Sequence, residues 1–466
     1  MPHIEHSKVN EAEMSSKEKY YRINGGKPLN GEISVSGAKN AITKQLVASV
    51  LTSEPCIFHN VPKISEVETV LNILTEIGTS YEWLSRSTLK VRTNKIINTR
   101  ISQDFQHYNR IPILLIGPLL HRAGRAHVPI PGGCKIGSRP VDFHINALKS
   151  MGANIDSNEQ YYEASSNSPS GFGLEIPHAK GNGPNLVHIN LPYPSVGATE
   201  NIILSAVLAQ GTTVISNAAT EPEIWDTISF LKKMGAKIIK EGERNIAVSG
   251  VASLRGAEHH TIPDRIETAS FASLAIATNG RIFIKNAVED DLISFLKVFR
   301  SIGGGYEPYA DGMMFFRSSK NIQPIHIETD VHPGFMTDWQ QPMAVALTKA
   351  EGLSVIHDTV YENRFGYTES LKKMGADIDL APFCLGTPCR FQSKRHLHSC
   401  VIKGPSKFSG SIINIPDLRA GFAYVIAALI SDGESTVTGI EYLERGYAHV
   451  PEKLRTLGAQ IDIGTN

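Results

Sequence analysis

Hydrophobic and polar positions along the chain repeat one long unit. The pattern Leu-x-x-apolar-Gly, or a close variant such as FRSIG, ends six segments that have the apolar spacing of amphipathic helices. Glycine at the end of a helix suits a left-handed C-terminal cap, and a short β-like run usually follows it. The six cap glycines are Gly78, Gly152, Gly235, Gly303, Gly375 and Gly458.

A second, more apolar helix is predicted ahead of each amphipathic one. Because these helices are apolar nearly all round, we expect them to be buried. They begin GAKNAITKQLVASVL, NRIPILLIGPLL, SVGATENIILSAVLA, DRIETASFASLAIA, TDWQQPMAVALTKA and DLRAGFAYVIAALI. Each is followed by a β-branched segment that predicts a strand. These segments are CIFHNV, AHVPI, TTVISNA, GRIFIKNA, LSVIHDT and STVTGI.

The six units predict an α/β fold with buried helices and outer sheets, three units in each of two domains. The unit is too long, and its inner helices too buried, for a solenoid. We expect a disordered polar tail at 1–18 and a first domain at 39–262. The second domain is expected to combine 19–38 with 263–466, so that the early strand run pairs with the later half.

The amino-acid composition limits the classes of binding partner that we expect. Lys+Arg (46) equals Asp+Glu (46), so the chain lacks the basic excess expected for binding nucleic acid or an anionic membrane. The longest strongly apolar run, 111–120, is too short to span a bilayer, and the N-terminus has no signal-peptide pattern. Five cysteines, an odd number, favour a reducing cytoplasm over a disulfide scaffold. We therefore predict a cytoplasmic protein with small-molecule partners, and no obligate protein partner is implied.

Polar residues begin several of the predicted buried helices, where free N–H groups and the helix dipole favour anions. Capping explains a single polar residue there, but it explains lysine and arginine poorly because cations are disfavoured at that end. The alternative to capping is that these residues line a cleft that binds an anionic ligand.

The loop PGGCKIGSRP (131–140) adds a thiol among glycines and cations. Neither a Walker motif nor a clean G-x-G-x-x-G is present, so ATP and NAD chemistry are unsupported.

Nine motifs, in order over roughly residues 20–463, together resemble the UDP-N-acetylglucosamine enolpyruvyl transferase family. They are SGAKNA, PGGCKIGSRPVDFHI, SVGATENI, EPEIWD, DRIET, PGFMTDWQ, ENRF, DLRAG and ERGY. The resemblance implies an inside-out α/β barrel pair. It also implies transfer of the enolpyruvyl group of phosphoenolpyruvate to the 3′-hydroxyl of UDP-N-acetylglucosamine. Phosphate is released, no metal or organic cofactor is needed, and the product enters peptidoglycan precursor synthesis.

The resemblance also assigns catalytic roles. Cys134 matches the general acid, Asp338 the proposed base or sugar-hydroxyl anchor, and Lys39 a catalytic cation. Taken alone, each residue has a plainer interpretation: a spare surface thiol, an N-cap carboxylate and a solvated lysine.

Phosphoenolpyruvate would be bound by Lys39 and Asn40 and clamped by Arg139, Arg419 and Arg445, whose planar guanidinium groups suit its carboxylate and phosphate. For Arg445, a surface salt bridge is the plainer alternative.

The nucleotide sugar would contact positions in both halves. The matching residues are Arg110, Arg139, Pro140, Val141, Asp142, Phe143, Ser195, Val196, Asp338 and Val360. Tyr193 and Thr220 depart from residues common in the family. Two alternatives therefore stay open: an enolpyruvyl transferase that acts on another uridine nucleotide, and a catalytically silent nucleotide-sugar-binding protein.

The segment CLGTPCRFQSKRHLHSC (384–400) lies in a stretch longer than the family pattern. Its Cys-x4-Cys spacing lies at the edge of usual zinc sites, and His-x-His is not a standard finger spacing. We favour an inserted β-hairpin with incidental thiols over a zinc site, and we assign no metal ligands.

Overall fold

The structure is a computed structural model that describes residues 18–106, 110–132, 141–177, 185–386, 389–392, 394–418 and 420–465. Its strands are β1 Lys19–Asn24, β2 Asn30–Ser34, β3 Cys56–His59, β4 Ser80–Trp83, β5 Leu89–Arg92, β6 Arg125–Pro129, β7 Asn154–Ser157, β8 Tyr161–Ser165, β9 Leu186–Asn190, β10 Thr212–Ser216, β11 Lys237–Lys240, β12 Ile246–Ser249, β13 Glu258–His260, β14 Arg281–Lys285, β15 Gly304–Tyr309, β16 Gly312–Arg317, β17 His326–Glu328, β18 Gly352–His357, β19 Asp377–Ala381, β20 Ser399–Gly404, β21 Ile412–Asn414, β22 Glu434–Thr438 and β23 Gln460–Thr465.

Its helices are α1 Lys39–Ser49, α2 Ser65–Glu76, α3 Ile111–Leu114, α4 Ile116–Ala123, α5 Asp142–Ser150, α6 Val196–Ala206, α7 Pro222–Lys233, α8 Arg265–Ala277, α9 Ile293–Ser301, α10 Gln340–Leu347, α11 Thr368–Lys373, α12 Ala420–Ile430, α13 Ile440–Glu444 and α14 Val450–Thr456. Short 3-10 helices span Gln103–Phe105, Asp290–Leu292 and Thr337–Trp339. Among the described residues, no helix combines the length and the apolar character needed to cross a membrane.

The repeated unit is confirmed. A buried helix, a strand, an amphipathic helix with a glycine cap and a further strand occur six times in that order. All six cap glycines have positive φ, from 90° at Gly458 to 114° at Gly375, a region that side chains with a Cβ rarely adopt. The cap glycines therefore end these helices for the steric reason that the sequence indicates.

One buried helix differs from the prediction. The segment 111–123 forms two helices, α3 and α4, rather than a single one. Pro118 has no N–H to donate to the carbonyl four residues earlier, that of Leu114, and this is where α3 ends. The break stays buried, since every residue from Ile111 to Leu120 is buried.

The described strands form six sheets, and two strands are exchanged between the halves of the chain. In three units, parallel strands flank the buried helix, as β9 and β10 flank α6. By contrast, β2 pairs in parallel with the distant β14, and β13 pairs in parallel with β3. Strand β1 likewise pairs with β22 and β23. The chain thus passes between the halves twice, and Gly37 bridges to Pro263 at this crossing.

Among the residues that the structure describes, buried hydrophobic side chains form two separate clusters. One draws on residues between Ile42 and Leu254, with Ala448 added. The other combines the early strand residues with residues from Ile266 to Ile461. This distribution supports the domain boundaries 39–262 and 19–38 with 263–466, which stay our proposal.

The expected inserted hairpin is wrong as stated. Strands β19 and β20 pair antiparallel and are the unit's own hairpin. Residues 382–398 are the connection between these two strands, and those of them that the structure describes contain no strand. We call 382–398 the long connection.

Candidate active site

The predicted site residues lie mostly at the first turns of buried helices. Lys39 and Asn40 begin α1, Ser195 is the N-cap of α6 and Arg110 is the N-cap of α3. Asp338 lies in the 3-10 turn that leads into α10. Further positions are at or near the starts of α5 and α6 or in loops: Val141, Asp142, Phe143, Val196, Val360 and Arg445. Cys134, Arg139, Pro140 and Arg419 lie outside the described residues.

Lys39 and Arg445 meet on one carboxylate. The Nζ atom of Lys39 is 4.0 Å from Oε1 of Glu66, and Arg445 donates from Nε (3.1 Å) and Nη2 (2.9 Å) to Oε2 of Glu66. The carboxylate is almost completely buried, whereas Arg445 keeps about a quarter of its side chain exposed. Lys39 and Arg445, two of the cations predicted to bind phosphoenolpyruvate, therefore lie close together although they are far apart in the sequence. Sequence reasoning missed Glu66, which looks like an ordinary first-turn acid of α2.

Asp338 is paired with Arg364. The guanidinium of Arg364 donates to Oδ1 of Asp338, and the Arg364 side chain is buried. Burial alone would lower the pKa of Arg364, but the carboxylates of Asp338 and Asp417 outweigh burial and raise it above its ordinary value. Asp417 precedes α12, and its Oδ1 accepts from the N–H of Ala420. Arg364 is therefore held as a cation between the starts of α10 and α12.

Val360 is tied to the same wall through Asp358. Thr337 donates its hydroxyl to Oδ2 of Asp358 at 2.5 Å, and the N–H groups of Val360 and Tyr361 donate to Oδ1 at 2.9 and 2.8 Å. Asp358 is fully buried. The turn that carries Val360 is therefore fixed relative to Asp338, the neighbour of Thr337.

Arg390, in the long connection, reaches the opposite wall. Its guanidinium donates to the carbonyl of Val360 and lies 4.6 Å from the ring centre of Tyr193. Burial raises the pKa of the Tyr193 phenol above its ordinary value. Arg390 thus joins a predicted sugar contact in the second half to the segment before α6 in the first. No signal in the sequence marked Arg390.

In the first half of the chain, the predicted site residues Ser195 and Val196 lie at the start of α6. The hydroxyl of Ser195 accepts from the N–H of Ala198 at 3.4 Å, so this residue acts as a cap. Behind it, Nδ1 of the buried His144 lies 3.1 Å from the amide nitrogen of Asn201. Burial, with a further contribution from Arg110, lowers the pKa of His144 to about 3. His144 is therefore a neutral structural histidine near neutral pH.

A buried acid on the same helix was missed by sequence reasoning. Glu200 is fully buried, and burial raises its pKa to about 7 although Nζ of Lys44 lies 3.8 Å away. Its carboxyl oxygens have no hydrogen-bond partner within the described part of the chain. Glu200 therefore changes protonation close to neutral pH, between the first-half helices α1 and α6.

Thr220 lies elsewhere, at a cavity of about 570 Å³ that also reaches the second half. Arg244 lines the same cavity and donates to the carbonyls of Ala218 (3.2 Å) and His332. Arg244, in the connection between β11 and β12, thus places a positive charge at the cavity that Thr220 lines.

Comparison with known proteins identifies the family. The family model described as EPSP synthase (3-phosphoshikimate 1-carboxyvinyltransferase) matches residues 23–454. A protein named UDP-N-acetylglucosamine 1-carboxyvinyltransferase from Protochlamydia amoebophila is 47% identical over 445 residues, which cover 95% of this chain and 94% of that protein. A protein of the same name from Chlamydia pneumoniae is 46% identical over 439 residues, 93% of each chain.

Solved structures agree on the fold. The enolpyruvyl transferase NikO from Streptomyces tendae matches with a TM-score of 0.81 and 21% identity, over 97% of this chain and all of that chain. EPSP synthase from Acinetobacter baumannii matches with a TM-score of 0.67 and 17% identity, over 96% of this chain and all of that one. The predicted α/β fold class is confirmed, and the chain belongs to the EPSP synthase family of enolpyruvyl transferases.

Proposed function

We propose that the chain transfers the enolpyruvyl group of phosphoenolpyruvate to the 3′-hydroxyl of UDP-N-acetylglucosamine and releases phosphate. The observation that carries the proposal is the 47% identity, over 95% of the chain, to a protein named for that activity. We infer that this reaction is the first committed step of peptidoglycan precursor synthesis. The proposed partners are these two small molecules. A cytoplasmic location stays a prediction.

The chemistry requires an addition followed by an elimination. A proton adds to the CH2 carbon of phosphoenolpyruvate, and the sugar oxygen bonds to the adjacent carbon as the hydroxyl loses its proton. Phosphate then leaves as a proton is lost from the new methyl group, which restores the double bond. The protein must therefore supply an acid, accept a proton and bind two anionic substrates.

We assign the acid to Cys134, whose loop glycines would allow closure over the substrate. The phosphate and carboxylate of phosphoenolpyruvate would be bound by Lys39, Asn40, Arg139, Arg419 and Arg445. The contacts of Lys39 and Arg445 with Glu66 support this assignment, because they hold two cations close together before any substrate binds.

Asp338 fits an anchoring role better than that of a strong base. Its pairing with the buried Arg364 favours the ionised carboxylate, and a carboxylate stabilised in this way accepts a proton weakly. We infer that Asp338 orients the sugar hydroxyl. The remaining acceptor contacts would come from Arg110, residues 139–143, Ser195, Val196 and Val360.

The test is phosphate release by the full chain, measured with a panel of nucleotides and nucleotide sugars. We expect turnover with UDP-N-acetylglucosamine. Turnover only with another uridine nucleotide would contradict the proposed acceptor. Binding of UDP-N-acetylglucosamine with no phosphate released from phosphoenolpyruvate, whichever acceptor is present, would contradict enzymatic function.

The same assay tests the acid. Cys134→Ala should lose turnover while it still binds the nucleotide sugar. Cys134→Asp should keep activity and resist an epoxide that alkylates the wild-type thiol, since a carboxylic acid can also donate a proton. Normal turnover in Cys134→Ala would show that the thiol is a spectator.

A further inference from the structure

Four side chains converge where the long connection folds back against β18. They are His357, Cys384, Cys389 and His398, and their ligand atoms all lie within 4.8 Å of one another. The two Sγ atoms are 3.6 Å apart, and Sγ of Cys384 is 3.6 Å from Nε2 of His398. Tetrahedral zinc, with Zn–S of about 2.3 Å and Zn–N of about 2.0–2.1 Å, spaces two sulfurs by about 3.8 Å and a sulfur from a nitrogen by about 3.6 Å. The two distances of 3.6 Å are close to that geometry, and the limit of 4.8 Å leaves the other atoms within a small adjustment of it.

Both histidine rings are oriented as metal ligands usually are. Nδ1 of His357 lies 2.7 Å from Oε2 of Glu328, and Nδ1 of His398 lies 2.7 Å from the carbonyl oxygen of His396. Each Nε2 atom is thereby left for the centre of the cluster. Metal-bound histidines typically donate their other nitrogen to a carboxylate or a backbone carbonyl, which fixes the tautomer.

A buried polar atom points to the same centre. Nε2 of His357 is buried and has no hydrogen-bond partner in the part of the chain that the structure describes. Leaving such a group unpaired is costly, and a bound cation would satisfy it. The N–H of Phe391 also lies 3.3 Å from Sγ of Cys389, where it can donate to a thiolate.

We propose that His357, Cys384, Cys389 and His398 bind one structural zinc ion. Two thiolates with two imidazoles in a tetrahedron are the donor set of zinc, and four protein ligands fill its coordination shell. The separation of 3.6 Å between the sulfurs is far longer than an S–S bond of about 2.0 Å, so the arrangement is that of two separate thiols.

The ion would hold the long connection against the candidate active site. Arg390 directly follows the ligand Cys389, and it contacts the carbonyl of Val360 and the ring of Tyr193. Zinc at Cys389 would therefore position Arg390 on the wall where we place the nucleotide sugar. This consequence for substrate binding rests on the proposed function, whereas the metal site itself does not.

The proposal departs from the sequence analysis, which assigns no metal ligands. The His-x-His spacing is misleading because His396 contributes its backbone carbonyl and only His398 its ring. The fourth ligand, His357, comes from the end of β18, outside the cysteine-rich segment.

The first test is the metal content of the full chain, purified without a histidine tag and measured by mass spectrometry of the elements. We expect about one zinc ion per chain, reduced at least tenfold in Cys384→Ser and in Cys389→Ser. Two matched controls should keep their zinc. Cys400→Ala removes a thiol that belongs to the hydrophobic core, and His396→Gln keeps the carbonyl that His398 needs.

A second measurement does not depend on whether the variants fold. Wild-type protein stripped with a chelator and titrated with Co²⁺ should show thiolate-to-cobalt charge transfer and the visible bands of a tetrahedral site, both lost when zinc is added. Wild-type protein without stoichiometric metal and without these bands would overturn the proposal. So would a Cys384–Cys389 disulfide found in protein purified under reducing conditions, or loss of zinc in the control variants alone.

Discussion

Two sheets of the second half have the same strand order and differ most in the connection of their hairpin strands. In the sheet of β2, β14, β16 and β15, the hairpin strands β15 and β16 are joined by Ala310 and Asp311 alone. In the sheet of β17, β18, β20 and β19, the equivalent strands are joined by 382–398. We call these the short-turn sheet and the long-connection sheet.

The comparison shows that the hairpin connection is a part of the repeated unit that can gain functional side chains. The short turn contacts its own sheet: a carboxylate oxygen of Asp311 lies 3.7 Å from Nζ of Lys285, and its carbonyl accepts from the N–H of Asn286 at 2.7 Å. The long connection returns two thiols and an imidazole to the end of its sheet and extends Arg390 to the candidate active site. A hairpin tip can change in this way because the core beneath it is made by other residues.

The largest expected effect comes from His357→Leu. If zinc binds, the variant should lose the ion and about 4 kcal/mol of stability, which lowers Tm in calorimetry by about 4 °C if the 466 residues unfold together. Without a metal, the substitution removes a buried unpaired nitrogen and one hydrogen bond to the partly exposed Glu328, and it should cost no more than about 1 kcal/mol, so the size of the loss decides. Lys285→Leu is the matched control, since Lys285 ends β14 as His357 ends β18. It should change stability by no more than about 0.5 kcal/mol.

The next effect compares the cap glycines of the two units. An alanine Cβ at Gly375 would lie 2.3 Å from the carbonyl oxygen of Lys407, whereas at Gly303 it would lie 1.9 Å from the hydroxyl of Ser319. A side-chain hydroxyl can rotate away and a backbone carbonyl cannot. Both variants also strain a positive φ, at a cost of about 1–2 kcal/mol. We expect Gly375→Ala to cost about 3 kcal/mol in denaturant unfolding and Gly303→Ala about 2 kcal/mol.

Gly458→Ala isolates the backbone term, because a Cβ there has nothing within 4 Å although φ is 90°. Equal losses of stability in all three variants would contradict the steric argument.

The units could be predicted from the sequence because their signals are local. Each cap glycine and each buried helix is defined by a few neighbouring residues, and these elements are confirmed except that 111–123 forms two helices. The exchange of β2 and β13 depends on pairing between distant strands, such as Ile284 with Ile33, and only the early strand run hinted at it. The break between α3 and α4 was not predicted, although a proline at 118 disfavours a continuous helix there.

The site was predicted less completely, for the same reason. First-turn residues such as Lys39 stand out because a cation there opposes the helix dipole. Glu66 and Arg445 are 379 positions apart, and nothing near either of them in the chain indicates the contact. His357 looks like a strand residue until β18 and β20 are paired, which places it opposite Ser399 and close to His398.

A smaller effect is expected from Arg390→Ala. If Arg390 contacts the nucleotide sugar, its loss should raise KM for that substrate about tenfold, equivalent to about 1.4 kcal/mol, and leave kcat nearly unchanged. Arg281→Ala is the control from the short-turn sheet, where the guanidinium lies 4.6 Å from the ring centre of Phe316 and contacts no predicted site residue that the structure describes. An unchanged KM for Arg390→Ala would show that Arg390 does not contribute to binding of the nucleotide sugar.

The smallest effect is expected from Glu307→Gln in the short-turn sheet. Its carboxylate pairs with Arg281 at 2.9 Å, but the two side chains are 43% and 49% exposed, so solvent screens the pair. We expect a loss of no more than about 0.5 kcal/mol, measured by denaturant unfolding. Combined with His357→Leu, the two changes should add within about 0.5 kcal/mol, since they lie in different sheets and share no hydrogen-bond partner among the described residues. A larger coupling would mean that the metal site stabilises the short-turn sheet as well, and that the two hairpin ends do not act independently.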